Sequence, residues 1–193
     1  YGTDYTLGYD TANNTVIEAI DKIRDTASSH NRVFFVEVMG RDSGCIALNA
    51  GVGGGAESIL LPELNSGIDN LIEELEFAEA RQKTSMIVII AEGDKNGGAY
   101  NVAKIVKEKI NHLDIKVSIL GHLQRGGSPS SFDRVLATRM GYTAVNELLK
   151  GNTRGTIGIR GNQMIITPLE EALNNKEFKL DDELLEIANI MNK

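Results

Sequence analysis

The feature that most limits the fold of this chain is a run of six apolar residues, Met-Ile-Val-Ile-Ile-Ala at 86–91. A run so short and so rich in β-branched side chains suits a strand covered on both faces rather than a helix, which needs more length. Two further stretches have the same character, Val-Phe-Phe-Val-Glu-Val-Met at 33–39 and Ile-Lys-Val-Ser-Ile-Leu at 115–120, with a shorter one at 59–61 stopped by Pro62. Between them the spacing is helical. Residues 11–29 place Val16, Ile17, Ala19, Ile20 and Ile23 on one stripe, and residues 43–53 form a Gly- and Ala-rich helix. Ser66 is a fitting N-cap for an acidic helix reaching about residue 82, and a loop at 93–98 opens another helix at 99–112. Buried strands alternating with helices across short connections predict an α/β fold with a largely parallel sheet.

After residue 120 the character changes. Gly121-His-Leu-Gln-Arg-Gly-Gly-Ser-Pro129 is polar and glycine-rich, and it opens a helix at 131–149. Strand candidates follow at 156–160 and 164–167, and a helix at 181–191 closes the chain. No internal repeat or low-complexity tract is present. At 193 residues the chain can bury its own core as one large domain, or as one domain with part of a second. It starts at Tyr1 with no targeting segment in front, which reads as a fragment.

Composition removes several classes of function. Twenty Lys and Arg against 27 Asp and Glu leave a net charge of −7, the wrong sign for a general nucleic-acid binder. No apolar run approaches the ~18–20 residues of a membrane helix. The single cysteine, Cys45, excludes an internal disulfide and fits a reducing, cytoplasmic compartment. There is no Gly-Lys pair for a phosphate loop of the Walker type, and the glycines at 53–55 do not complete a dinucleotide fingerprint. His30, His112, His122 and Cys45 show no metal-ligand spacing.

The chemistry collects where the strands end. Met39-Gly40-Arg41 follows the first strand, and ligands of open α/β sheets lie beyond the carboxyl ends of the strands. Glycine at 40 admits close approach of backbone, and the Arg41 guanidinium can grip phosphate oxygens at two points; an ion pair with an acidic neighbour would suit the same position. Glu92 ends the second strand beside a glycine, where it could accept from sugar hydroxyls or simply face solvent. The third strand ends at Gly121-His122, with Arg125 one turn on and Lys116 near its start. Arg32 precedes the first strand. Polar or cationic groups beside glycine at three successive strand ends point to an anionic, phosphorylated polyol as ligand.

These residues resemble bacterial ATP-dependent 6-phosphofructokinase. The matching segments are Gly2-Thr-Asp-Tyr-Thr6 with Gly8 to Ala12, then Val36-Glu-Val-Met-Gly-Arg41 with Gly44, and Leu120 to Pro129 continuing to Asp133-Arg134. The resemblance runs from Tyr1 to about Met191 and implies the three-layer α/β/α phosphofructokinase fold, of which this chain would be the C-terminal 60% or so. It implies a sugar-phosphate and effector domain at 1–123, a returning piece of the nucleotide domain at 124–174, and a final helix back on the first domain at 175–193. The family's nucleotide loop and catalytic aspartates lie upstream of the Gly-Thr-Asp-Tyr segment, so the chain by itself is expected to be inactive.

The same resemblance assigns Met39, Gly40, Arg41, Glu92, His122 and Arg125 to fructose 6-phosphate, with Arg41 also stabilising charge on the transferring phosphoryl group. Arg32 and Lys116 would reach into a neighbouring subunit's site of a homo-oligomer, in the family a tetramer. Lys116 stands where the bacterial pattern has arginine and loses the two-point fork. Arg24, Gly55, Ala56, Glu57, Lys83, Thr84 and Ser85 match the family's effector site for ADP or phosphoenolpyruvate, with Glu57 as holder of the effector's magnesium. There Arg81 and Ser85 replace an expected lysine and histidine. ATP is the implied phosphoryl donor and Mg2+ its cofactor. A pyrophosphate-dependent enzyme of the same fold, and a non-catalytic half that binds sugar phosphates, are the alternative readings.

Overall fold

In the computed structural model, which describes residues 1–26, 32–64, 67–83, 85–174 and 179–191, the chain divides into two compact units. The larger comprises Ala12–Gly126 with Leu180–Lys193, and the smaller Tyr1–Thr11 with Gly127–Lys179.

The larger unit is built on four strands, β1 (Arg32–Val38), β2 (Ser58–Leu60), β3 (Ser85–Ala91) and β4 (Asp114–Ile119). They form one sheet in the order β2-β3-β1-β4, and every neighbouring pair is parallel. Side chains alternate across a pleated strand, so each strand serves two cores. Val33, Phe35, Met86, Val88 and Ile90 face Leu71 and Leu75 of α3 (Ile68–Ala80) and Val102 and Val106 of α4 (Gly98–Lys109). Phe34, Val36, Val38, Ile87 and Ile89 face Val16 and Ile20 of α1 (Tyr9–Thr26), Ala47 and Leu48 of α2 (Cys45–Gly53), and Ala188 of α7 (Asp182–Met191). Phe35, Met86, Ile87 and Ile90 are fully buried, and each large apolar side chain so placed contributes about 1.5–3 kcal/mol. This is the expected three-layer α/β/α arrangement. The edge strand β4 keeps Lys116 and Ile119 exposed, which explains its mixed sequence.

The smaller unit holds α5 (Ser131–Leu149), the antiparallel hairpin β5 (Gly155–Arg160) and β6 (Gln163–Pro168), and the short α6 (Leu169–Asn174), which the sequence did not predict. Ser130 caps α5 by accepting from the Asp133 N–H at 3.2 Å. The first residues of the chain lie along β5: the Asp4 N–H donates to the Ile159 carbonyl and the Ile159 N–H to the Thr3 hydroxyl. Gly158 permits this, since a Cβ there would fall 2.0 Å from the Gly2 carbonyl oxygen. Set beside the expected boundaries after residues 123 and 174, the units change over after Gly126 and Lys179, and Tyr1–Thr11 groups with the smaller unit. Those β5 contacts are long-range, and local sequence does not record them.

Helix ends differ from expectation by small amounts with identifiable causes. Asp181 stands just outside α7 because its Oδ1 accepts the Glu183 and Leu184 N–H groups, the work of a cap. The predicted cap Ser66 lies outside the described residues, as do His30 and Thr84; Gly67 holds the position before α3 with extended backbone.

Candidate functional site

All four strands of the larger unit are parallel, so their carboxyl ends lie on one side of the sheet. Strand β1 sits between β3 and β4, which makes Met39-Gly40-Arg41, Glu92 and the turn after β4 neighbours. Glu92 leans over the first of these segments. Its Oε1 accepts the Arg41 N–H at 2.6 Å and the Gly40 N–H at 3.2 Å, while Oε2 has no hydrogen bond to a described residue. Arg41 has φ 52°, a left-handed conformation uncommon for a residue with a side chain, and the short bond to Glu92 holds it there. Two glycines make the turn possible. A Cβ on Gly93 would sit 1.9 Å from the Arg41 carbonyl oxygen, and one on Gly40 would sit 2.2 Å from that of Ser43.

The turn after β4 is a 3₁₀ helix, η1 (Gly121–Arg125). With three residues per turn, positions i and i+3 eclipse, so His122 and Arg125 project on one face, and both are exposed. Gln124 falls on another face and is only 3% exposed. Its Oε1 accepts the Met39 N–H at 3.3 Å and its Nε2 donates to the Gly121 carbonyl at 3.3 Å.

Arg41, His122 and Arg125 make no side-chain hydrogen bond or ion pair with another described residue. The amino end of the sheet is different. Arg32 lies opposite Asp114 in the β1–β4 register, and its Nε reaches the Asp114 carboxylate at 3.1 Å. Lys116, two residues along β4 and so on the same face, reaches the other Asp114 oxygen at 2.9 Å. Hydrogen bonds from Lys116 and then Arg32 hold the Asp114 carboxyl below its ordinary range. Arg32 and Lys116 are thus together and away from Met39-Gly40-Arg41: Arg32 by one strand length (about 23 Å at ~3.3 Å per residue), and Lys116, level with Phe34, by about 17 Å.

The effector-like residues also gather at the amino end, where β2 and β3 begin. Arg24 donates to the Gly54 and Gly55 carbonyls at 2.7 and 3.0 Å, just past the end of α2, where carbonyls lack helical partners. Glu57 is 5% exposed; its Oε2 accepts the Ile87 N–H at 2.5 Å and its Oε1 meets the Lys83 ammonium at 3.2 Å. Ala56 is buried beside it, Ser85 opens β3, and Thr84 lies outside the described residues. Arg81 is stacked on the Phe77 ring, 4.3 Å from its centre. Among the described residues no group of three or more His, Cys, Asp or Glu side chains could hold a metal ion, and both Glu57 oxygens are engaged. These residues therefore do not fit a metal site made by protein alone.

Three polar residues with clear work were not singled out by sequence. Gln124 is one. Glu37, mid-strand in β1, accepts the Ala99 N–H at 2.8 Å and so anchors the start of α4; a Cβ on Gly98 would crowd the same carboxylate. Asp133 of the smaller unit, 4% exposed, accepts the Gly8 and Thr11 N–H groups at 2.9 Å each, and the Thr11 hydroxyl. Burial pushes the Asp133 carboxyl up, and the bonds from Thr11 and Gly8 outweigh it, leaving its pKa below the usual value. Two signals were available: Glu37 is a polar residue inside an otherwise apolar strand, and all three residues lie within the segments that carry the family resemblance.

A family model described as phosphofructokinase matches residues 1–148. The chain is 47% identical over 182 residues to the ATP-dependent 6-phosphofructokinase 2 of Bacteroides thetaiotaomicron, covering 94% of this chain and 56% of that protein. It is 50% identical over 187 residues to the ATP-dependent 6-phosphofructokinase of Staphylococcus epidermidis, covering 97% of this chain and 57% of that one. The chain thus spans a little over half the length of these relatives. Among solved structures, phosphofructokinase from Saccharomyces cerevisiae superposes with a TM-score of 0.83 at 33% identity, covering 98% of this chain and 28% of that one. The pyrophosphate-dependent phosphofructokinase of Marinobacter aquaeolei shares the fold, with a TM-score of 0.74 at 24% identity over 96% of this chain and 54% of its own.

Proposed function

The chain belongs to the phosphofructokinase family, and on that premise we propose that it carries the fructose 6-phosphate site of an ATP-dependent 6-phosphofructokinase. The observation that carries this reading is the set of phosphate-binding side chains, Arg41, His122 and Arg125, that make no hydrogen bond or ion pair among the described residues at the carboxyl end of the parallel sheet. A phosphate monoester needs such groups, because charge-assisted bonds to its oxygens are the strong ones available to a protein. His122 and Arg125, eclipsed on η1, take the 6-phosphate. Glu92 Oε2 accepts from sugar hydroxyls while Oε1 holds the turn of Gly40 and Arg41. The N–H groups of Met39, Gly40 and Arg41 are already given to Gln124 and Glu92, so this segment meets the sugar with side chains and carbonyls. Arg41 neutralises charge on the phosphoryl group in transfer, where catalysis is mostly positioning and electrostatics.

The general base and the nucleotide loop belong to the part of the family's chain that precedes these residues. Mg2+ would offset the charge on the donor's phosphates, and no side-chain cluster among the described residues is suited to hold it. Arg32 and Lys116 serve a neighbouring subunit of a tetramer. The effector-like residues (Arg24, Gly55, Ala56, Glu57, Lys83, Thr84 and Ser85) receive ADP or phosphoenolpyruvate, and the enzyme works in the cytoplasm. The names of the relatives support ATP as donor. A coupled assay on the whole protein carrying these residues is expected to show fructose 6-phosphate turnover with ATP and none with pyrophosphate, while the 193-residue chain alone stays silent. Turnover with pyrophosphate alone, or none with either donor, overturns the reading in favour of the pyrophosphate enzyme or the non-catalytic half.

A further inference from the structure

We propose that Gln124 is a positioning residue that locks the phosphate-gripping turn to the segment carrying Arg41, so that the two halves of the sugar-phosphate site move as one. The inference rests on the reading of that site given above and extends it to a residue that touches no ligand. Gln124 is 3% exposed in a turn whose other side chains are largely in solvent, and burying an amide is costly unless its donor and acceptor are both used. Both are used, and on different segments. The carbonyl oxygen takes the Met39 N–H at the end of β1, and the amide nitrogen gives to Gly121, the first residue of η1.

The 3₁₀ geometry makes this division of labour automatic. Gly121 and Gln124 are i and i+3, so one face of the turn is closed on itself and pinned to β1. His122 and Arg125 are also i and i+3, and their face is left open for an anion. Without Gln124, η1 keeps the β4 backbone behind it, where Leu120 N–H meets the Glu37 carbonyl at 3.1 Å, but loses its side-chain link to the Met39-Gly40-Arg41 segment. His122 and Arg125 on η1 and the guanidinium on the β1 turn would then no longer be fixed in mutual register, and a misplacement of one ångström is expensive in such a site.

The test is Gln124→Met in the whole protein carrying these residues, since methionine keeps volume and removes both hydrogen bonds. The KM for fructose 6-phosphate is expected to rise about tenfold, the scale of two modest hydrogen bonds, with the KM for ATP unchanged. In an Arg125→Ala background the same substitution should add less than about threefold, because the group being positioned is gone. Should the methionine variant fail to fold, Gln124→Asn takes its place: the shorter amide stays polar but cannot span both partners, and the same pattern is expected. A purely structural role predicts a fall in Tm with the fructose 6-phosphate KM unmoved, or equal effects in both backgrounds, and either result overturns the proposal. If Arg125→Ala alone leaves the fructose 6-phosphate KM unchanged, it is the site reading that falls. If Arg125→Ala raises it and Gln124→Met does not, only the positioning role falls.

Discussion

At the carboxyl end of the sheet, the side chains of Arg41, His122 and Arg125 make no hydrogen bond or ion pair among the described residues, whereas at the amino end those of Arg24, Arg32, Lys83 and Lys116 are all engaged. There Arg32 and Lys116 share Asp114, Lys83 meets Glu57, and Arg24 closes the end of α2. The contrast separates two uses of charge on one scaffold. An unpaired guanidinium gives its full interaction to an arriving phosphate. A paired one must first give up a carboxylate, so it binds an anion more weakly or only when a neighbouring surface helps. The carboxyl end is ready-made, and the amino end is conditional.

The largest effect expected from this contrast is on Arg41. Arg41→Ala in the whole protein should lower kcat by two to three orders of magnitude, the scale of losing one preorganised charge stabiliser. Its thermal stability should hardly change, since the side chain makes no hydrogen bond or ion pair among the described residues; steady-state kinetics beside a melting curve would show both. A loss of Tm in step with kcat would put Arg41 among the structural cations and erase the difference between the two ends.

Mixed oligomers sharpen the comparison further. If Arg32 serves a neighbouring subunit and Arg41 its own, hybrids of Arg32→Ala and Arg41→Ala subunits should recover part of the activity that each parent lacks. Hybrids that assemble but stay at parental activity would place both arginines in the same subunit's chemistry.

A smaller effect is expected at the effector-like group. Lys83→Met takes the ammonium away from the Glu57 carboxylate, which is 5% exposed and keeps the Ile87 N–H. Because the Lys83 side chain is itself 39% exposed, solvent screening reduces the loss to about 1 kcal/mol of stability. Denaturant melts should show it without any change in fructose 6-phosphate affinity. A changed substrate affinity would link the two ends of the sheet instead of separating them.

The smallest effect concerns Asp114 and acid. Its carboxyl is depressed in the folded chain by Lys116 and Arg32, so the stabilisation is present above the ordinary carboxylate range, and it fades as pH falls through the lowered value. Melting temperatures of the parent and Asp114→Asn should therefore differ slightly near neutrality and converge in acid. A gap that widens as the pH falls would show that Asp114 is not paired as described.

Much of this molecule was legible before its structure. The apolar runs predicted β1, β3 and β4 within a residue or two, because strands buried on both faces leave a compositional mark that survives without context. The motif residues Met39, Gly40, Arg41, Glu92, His122 and Arg125 do come to one end of the sheet, since parallel strands send all their carboxyl ends the same way. What local pattern determined is therefore the elements, their order and the kind of residue at each strand end. Tertiary structure alone decided the rest. That Glu92 spends one oxygen on the Arg41 N–H, that Gln124 ties η1 to β1, that Asp114 pairs with Arg32, and that the first eleven residues group with β5 are all contacts across tens of residues. Periodicity reports which face of an element is apolar. It carries no record of which distant polar group a buried donor or acceptor will find, because that pairing exists only once the strands have been set side by side.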